Sequence, residues 1–274
     1  MIDPETRVNM NGSPSKDSEL PTSHRPAISV CMAAYNGARF ISLQIQSILR
    51  QLAPTDEIVV VDDHSTDETR ETVRALADNR IRLLEHPNNM GVSRSFEDAI
   101  RAASNHILFL SDQDDLWADD KVDTIMKAFA TNPEVTLIAT DTALIDEHGT
   151  LLSSSYFAPR GEFHPGFWQN LLRNRFGGCT LAFRSEIIPE ILPFPHNYDV
   201  LHDVWIGIRN SLADHQTLYI DKPLVLNRRH ASTATGRRQL SLSRKIGTRL
   251  HLLLALVSFS LRKEAAKLRP DKPL

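Results

Sequence analysis

From Ala27 onward, short runs of consecutive apolar residues alternate with stretches in which apolar residues return every three or four positions. Ile28-Ser-Val-Cys-Met-Ala-Ala is the first run, and Ile41, Ile45, Ile48, Leu49 and Leu52 follow it at helical spacing. Ile58-Val-Val-Val is the second, apolar at every position, as in a strand covered on both faces. Ser65 and Glu68 have the spacing of a capping box, which predicts a helix starting there. Ile81-Arg-Leu-Leu is a third strand, followed by a helix with Phe96, Ala99, Ile100 and Ala103 on one face, and Ile107-Leu-Phe-Leu is a fourth. Strands alternating with amphipathic helices predict an α/β fold built on a Rossmann-like, mostly parallel sheet flanked by helices.

Beyond about residue 135 the alternation loosens. Residues 135–145 read as a strand, 147–165 as a loop bearing Ser, Gly and Pro, 166–175 as a short helix, 179–183 as a strand, 200–212 as a helix and 218–226 as a late strand. Residues 240–268 form a C-terminal helical extension, and there is no internal repeat. Residues 1–25 are polar and aperiodic and read as a disordered leader. The expected division is therefore a leader over 1–25, one catalytic-sized domain over 26–235 and a basic amphipathic tail over 236–274.

Composition narrows the class. A chain of 274 residues can bury a full core, and 11 Gly and 15 Pro exclude fibrous and wholly disordered classes. Cys31 and Cys179 are the only cysteines, without a C-x-x-C or a Cys/His cluster, so neither a zinc site nor a disulfide framework is indicated and a reduced, cytoplasmic compartment is expected. No secretory signal precedes the first strand, and no apolar run approaches the roughly 18 residues of a spanning helix. The net charge of −3 conceals an asymmetry: residues 228–274 hold 12 Lys/Arg against Glu264 and Asp271, a net +10, leaving −13 for the rest. A basic tail on an acidic body predicts that the tail meets something anionic, with no nucleic-acid partner expected. Within it Leu250, Leu252, Leu253, Leu254, Leu256, Val257, Phe259 and Leu261 are flanked by Arg244, Lys245 and Arg249 before and by Arg262, Lys263, Lys267 and Arg269 after. Such a helix can lie in a membrane interface, which makes the chain peripheral on the inner face of the plasma membrane, or can pack on the domain or on a second copy in a homodimer.

Chemistry gathers where the strands end. In open α/β sheets ligands bind beyond the carboxyl ends of the strands. The first strand here ends in Tyr35-Asn36-Gly37, the second in Asp62-Asp63-His64-Ser65 and the fourth in Ser111-Asp112-Gln113-Asp114-Asp115. Three carboxylates within four residues repel one another, and a hard divalent cation relieves them; the competing reading is an Asp-rich helix start, since Asp119-Asp120 follows. Asp62 reads as a structural cap, Trp117 as core, and Trp205 as either core or a binding platform. His202 reads as a loop hydrogen-bonder, and His64, His86 and His148 as surface histidines without a nameable partner.

Five motifs in this order, Val30-Cys-Met-Ala-Ala-Tyr-Asn, Val61-Asp-Asp-His-Ser-Thr-Asp, Asn89-Met-Gly, Ser111-Asp-Gln-Asp-Asp-Leu-Trp and His202-Asp-Val-Trp, resemble the family 2 glycosyltransferases with the GT-A fold over about residues 27–235, and the fourth resembles rhamnosyltransferase-like members in particular. The resemblance implies that Ala33 and Tyr35 sit against a nucleotide base and that Asp63 accepts the imide N–H of uracil or thymine. It implies a D-x-D signature in Asp112-Gln113-Asp114, with Asp114 a direct ligand of Mn²⁺ or Mg²⁺, Asp112 on the ribose or the metal, and Asp115 on the donor sugar. It further implies Asp203 as general base, although an Asp at a helix start also serves as a cap, and Gly177-Gly178-Cys179 as a close-passing loop beneath donor and acceptor. Arg228-Arg229-His230 with Ser232 and Thr233 resembles a segment closing over the diphosphate, with His230 a further metal ligand and Arg228 neutralising the leaving group; Asn227 departs from the aromatic usual before that Arg. Arg94 is a further diphosphate candidate. The implied function is inverting transfer of a sugar, L-rhamnose being favoured, from a dTDP- or UDP-sugar to a lipid-linked glycan acceptor in bacterial surface polysaccharide synthesis. The rivals are a nucleotidyltransferase and a non-catalytic module binding a divalent cation or nucleotide. Tyr35-Asn-Gly-Ala-Arg offers little of the glycine-rich, basic loop that the first rival requires.

Overall fold

The computed structural model describes residues 25–161, 166–172, 176–198, 200–230 and 242–267. The first half follows the alternation of apolar runs: β1 (Ile28–Ala34), α1 (Ile41–Leu49), β2 (Glu57–Asp62), α2 (Thr69–Ala75), β3 (Ile81–Glu85), α3 (Val92–Ala102) and β4 (Ile107–Asp112). The second half adds β5 (Leu116–Trp117), α4 (Lys121–Thr131), β6 (Val135–Asp146), β7 (Leu151–Ser153), α5 (Phe167–Leu172), β8 (Leu181–Arg184), α6 (Ile188–Ile191), α7 (His202–Leu212), β9 (Gln216–Arg229) and α8 (Leu242–Lys267). The leader expected over 1–25 lies outside the described residues except for Arg25, whose guanidinium already pairs with buried Asp56 at 2.5 Å.

One sheet runs β3-β2-β1-β4-β8-β6-β9-β5, with β7 on the flank of β6. The register pairs β3, β2, β1 and β4 in parallel, brings β8 in antiparallel against both β4 and β6, and returns to a parallel β6–β9 pair. Six strands therefore point one way, against β5, β7 and β8, so the mostly parallel α/β expectation holds.

Alternate residues of β1 face opposite sides of the sheet, as the pleat dictates. Ile28, Val30, Met32 and Ala34 join α1 and α4 in one core, while Cys31 and Ala33 join α3, α6 and α7 in the other. Leu252, Ala255, Leu256 and Phe259 of α8 belong to this second core, with the Phe259 ring 5.5 Å from buried Trp205. The C-terminal helix is thus part of the body along one face rather than a separable tail. Trp205 is a core residue, its indole N–H donating to the Ile191 carbonyl, and Trp117 packs on Phe109 as expected.

The capping-box reading fails. The Ser65 hydroxyl instead accepts the Asn36 N–H at 2.9 Å, its own N–H donates to Asp62, and α2 begins four residues later, behind the Asp67–Thr69 turn. Asp62 is the structural cap of that loop. The strand expected from 179 begins at Leu181 after a single 3₁₀ turn, and 147–165 is not wholly a loop because β7 pairs with β6.

Candidate active site

The carboxyl ends of β1, β2 and β4 open onto one cleft of about 640 Å³. Ala33, Tyr35, Asp63, Asp112, Gln113 and Asp114 line it from the strand ends, and Gly177, Gly178, His202 and Asp203 from the loop before β8 and the start of α7. Ala33 and Asp203, 170 positions apart in the chain, therefore share one cavity.

The base-side residues are held rigidly. Gln113, the middle residue of the acidic signature, clamps the chain at Tyr35: its side-chain oxygen accepts the Tyr35 N–H and its amide donates to the Tyr35 carbonyl, both at 2.9 Å. Asp63 accepts the N–H groups of Met90 and Gly91, each at 2.7 Å, so the Asn89-Met-Gly turn folds around this carboxylate; Gly91 takes the positive φ of 89° that the turn requires. His86 is not a surface histidine. Its ring bridges Asp63 at 2.8 Å and Asp98 at 3.1 Å, a partnership hidden in the sequence because the three lie on separate elements.

The acidic loop divides its carboxylates between two environments. Asp112 and Asp114 face the cleft. Asp115 does not: it is buried, accepting the Asn227 amide at 2.9 Å and the Arg228 N–H at 3.0 Å, and it latches β9 to the loop instead of reaching a donor sugar. The Asn227 side-chain amide is thus part of this latch, donating to both Asp115 oxygens. Burial, then Asp115, Asp114 and Asp203, push Asp112 well above the ordinary carboxylate range, and burial with Asp114 lifts Asp115 to about 6. Beneath them lies Lys121, fully buried, its ammonium donating to the Cys179 carbonyl at 2.9 Å and resting 4.2 Å over the Trp117 ring. Burial lowers Lys121 to about 8 while the carboxylates of Asp115 and Asp112 hold it up. Sequence reasoning missed it, although a lysine at the first position of a helix, just after an acidic loop, was the available signal. Lys121→Met should destabilise the fold by about 3–5 kcal/mol, because buried carboxylates lose their counter-charge; urea unfolding reads this, and an unchanged midpoint would show that Lys121 compensates nothing.

Two groupings could take a cation. Asp112, Asp115 and Cys179 bring ligand atoms within 4.8 Å of one another, but Asp115 is closed off, burial drives the Cys179 thiol pKa up, and Lys121 already supplies positive charge. His230, just past β9, places Nε2 2.7 Å from a carboxylate oxygen of Asp114, which lines the cleft together with Asp112. Carboxylate oxygens with one imidazole suit Mn²⁺ or Mg²⁺, so this second set fits a hard divalent ion.

Arg228 lines the cleft, buried over the Phe40 ring, and its guanidinium donates to the carbonyls of Asp114, Asp146 and Glu147, which fastens the loop. Its neighbour Arg229 also lines the cleft, half-buried beside Tyr156. Arg94 pairs with Asp98 on α3 and is not among the residues lining the cleft. Ser232 and Thr233 lie outside the described residues.

Asp203, also in the cleft lining, occupies the first turn of α7. His202 is no loop hydrogen-bonder: it is stacked 4.2 Å from the Phe96 ring, both its nitrogens are buried without a partner, and burial lowers it to about 4, so the ring is neutral. A Cβ on Gly178 would stand 2.5 Å from His202 Nε2, so this approach requires glycine.

The chain is 27% identical over 183 residues to a β-1,3-glucosyltransferase of Escherichia coli, WfgD, that acts with UDP-Glc on α-D-GlcNAc-diphosphoundecaprenol; the match covers 66% of this chain and 69% of that one. It is 33% identical over 200 residues to the succinoglycan biosynthesis protein ExoO of Rhizobium meliloti, covering 73% of this chain and about half (52%) of the relative. Among solved structures it resembles residues 1–349 of S. aureus TarS in complex with UDP-GlcNAc, with a TM-score of 0.60 at 19% identity, over 78% of this chain and 62% of that one. The mannosyltransferase PcManGT of Pyrobaculum calidifontis, in complex with GDP-Man and Mn²⁺, matches with a TM-score of 0.58 at 21% identity, over 92% and 78%. These likenesses establish the GT-A fold. The model of glycosyl transferase family 2 matches residues 29–191, more than half of the chain, and the chain belongs to that family.

Proposed function

We propose that the chain is a metal-dependent, inverting glycosyltransferase that moves a sugar, L-rhamnose in our reading, from a dTDP- or UDP-sugar donor to a lipid-linked glycan acceptor in bacterial surface polysaccharide synthesis. The observation that carries this reading is the one cleft that Asp112, Asp114 and Asp203 line together, with Asp203 near enough to help raise Asp112. A relative that works on a diphosphoundecaprenol-linked sugar supports the lipid-linked acceptor, and a neighbour holding UDP-GlcNAc supports a uridine nucleotide.

In this reading Ala33 and Tyr35 flank the base, and Asp63, held by Met90, Gly91 and His86, uses its remaining lone pair for the imide N–H. Asp114 and His230, with Asp112, would hold Mn²⁺ or Mg²⁺, which when bound stabilises negative charge on a departing nucleoside diphosphate. Arg228 neutralises the leaving group, and Arg229 beside it adds positive charge at the cleft. Gly178 lets donor sugar and acceptor pass close to the main chain. Asp203 accepts the proton of the acceptor hydroxyl as its oxygen attacks the anomeric carbon from the face opposite the diphosphate, so the configuration inverts in one displacement. The protein works in the cytoplasm, peripheral on the inner face of the plasma membrane; no helix among the described residues is long and apolar enough to cross a membrane.

The test is release of nucleoside diphosphate from a panel of nucleotide sugars with Mn²⁺ or Mg²⁺ present. Release from a dTDP- or UDP-sugar is the expected result. Formation of pyrophosphate from a nucleoside triphosphate and a sugar phosphate would indicate a nucleotidyltransferase, and cation binding without turnover of any donor would leave only a binding module.

A further inference from the structure

The C-terminal helix α8 has two apolar faces, and the fold uses one. Leu252, Ala255, Leu256 and Phe259 are buried against the body. By the 3.6-residue period, Ile246, Leu250, Leu253, Leu254, Val257 and Leu261 fall together on the opposite side, and all six are exposed, Leu254 to 55% and Leu261 to 66%. They make a continuous stripe about 22 Å long. A helix face left to water is normally polar, and a stripe of large apolar residues marks an interaction surface.

Charge selects the partner. Between Leu242 and Lys263 the helix contains no acidic residue, and the sequence of this segment supplies Arg244, Lys245, Arg249, Arg262 and Lys263. Of these, Lys263 is engaged by Glu190 on the body, and exposed Arg262 lies beyond the stripe's end. A second copy would set these five cations against five more with only Glu264 on each helix to pair with, whereas an anionic lipid surface answers both the stripe and its cations. Because the buried face fixes α8 along the body, the helix can only lie flat in such a surface, as interfacial amphipathic helices do.

We propose that the exposed stripe of α8 docks the protein onto an anionic membrane surface. The proposal deepens the lipid-linked acceptor reading above but is tested apart from it. Truncating α8 is a poor test, since the cut would bare Trp205 and the core around it. The stripe can instead be changed in place with Leu254→Glu and Val257→Glu together, both exposed residues whose replacement leaves the packed face intact. The full chain is sedimented with vesicles of phosphatidylcholine alone, or mixed equally with phosphatidylglycerol, at low and high salt. The wild type should pellet with the anionic vesicles, release partly at high salt, and lose about tenfold or more of its binding in the double variant. Thermal unfolding and donor hydrolysis should be unchanged in the variant, so that a failed donor assay speaks against the enzyme reading and not against docking. Failure of the wild type to bind vesicles at any salt overturns the proposal. So does equal binding by the double variant, or a wild-type dimer in solution that the variant breaks while vesicle binding stays absent.

Discussion

Asp203→Asn should lower turnover by a factor of about 10² to 10⁴ while leaving donor affinity near that of the wild type. The loss is the usual worth of a positioned general base. Asp203 sits in the first turn of α7 with 8% exposure, and asparagine keeps its volume and its place in that turn while removing basicity. The residue is not one of those assigned to the base or the metal, so titration of nucleoside diphosphate should read the same affinity in both proteins. Near-normal turnover in the variant would reduce Asp203 to a helix cap.

Asp114→Ala should remove metal-dependent donor binding altogether. Its carboxylate meets His230 Nε2 at 2.7 Å and lines the cleft. Calorimetric titration with nucleoside diphosphate, with and without Mn²⁺, should show strong metal dependence in the wild type and none in the variant. Equal wild-type affinity in the two conditions would take the metal out of the reading. Asp115→Ala gives the contrast: its carboxylate holds Asn227 and the Arg228 N–H, so its loss should lower thermal stability as well as activity, since β9 loses its latch.

The sheet and the site's address were legible because strands covered on both faces leave unbroken apolar runs, and because ligands collect where parallel strands end. What stayed hidden was the direction in which neighbouring polar side chains point. Asp114 and Asp115 are adjacent, yet one meets the cleft and the other a buried latch. Arg228 and Arg229 both line the cleft at the end of β9, yet Arg228 holds the loop carbonyls while Arg229 lies beside Tyr156. His86 found its partners through tertiary packing on Asp63 and Asp98, and Ser65 found Asn36 instead of its own helix; local pattern predicts neither. The dense leucine block of the tail read as interfacial or packed, two exclusive alternatives in sequence, whereas the helix packs one face and exposes the other.

The central claim is a single displacement in which Asp203 activates the acceptor from the side opposite the departing diphosphate. Its most direct test is the anomeric configuration of the transferred sugar, read by proton NMR on product made from whichever nucleotide sugar the panel identifies. The account predicts a product whose anomeric configuration is inverted relative to the donor, and a product that retains the donor configuration would contradict it.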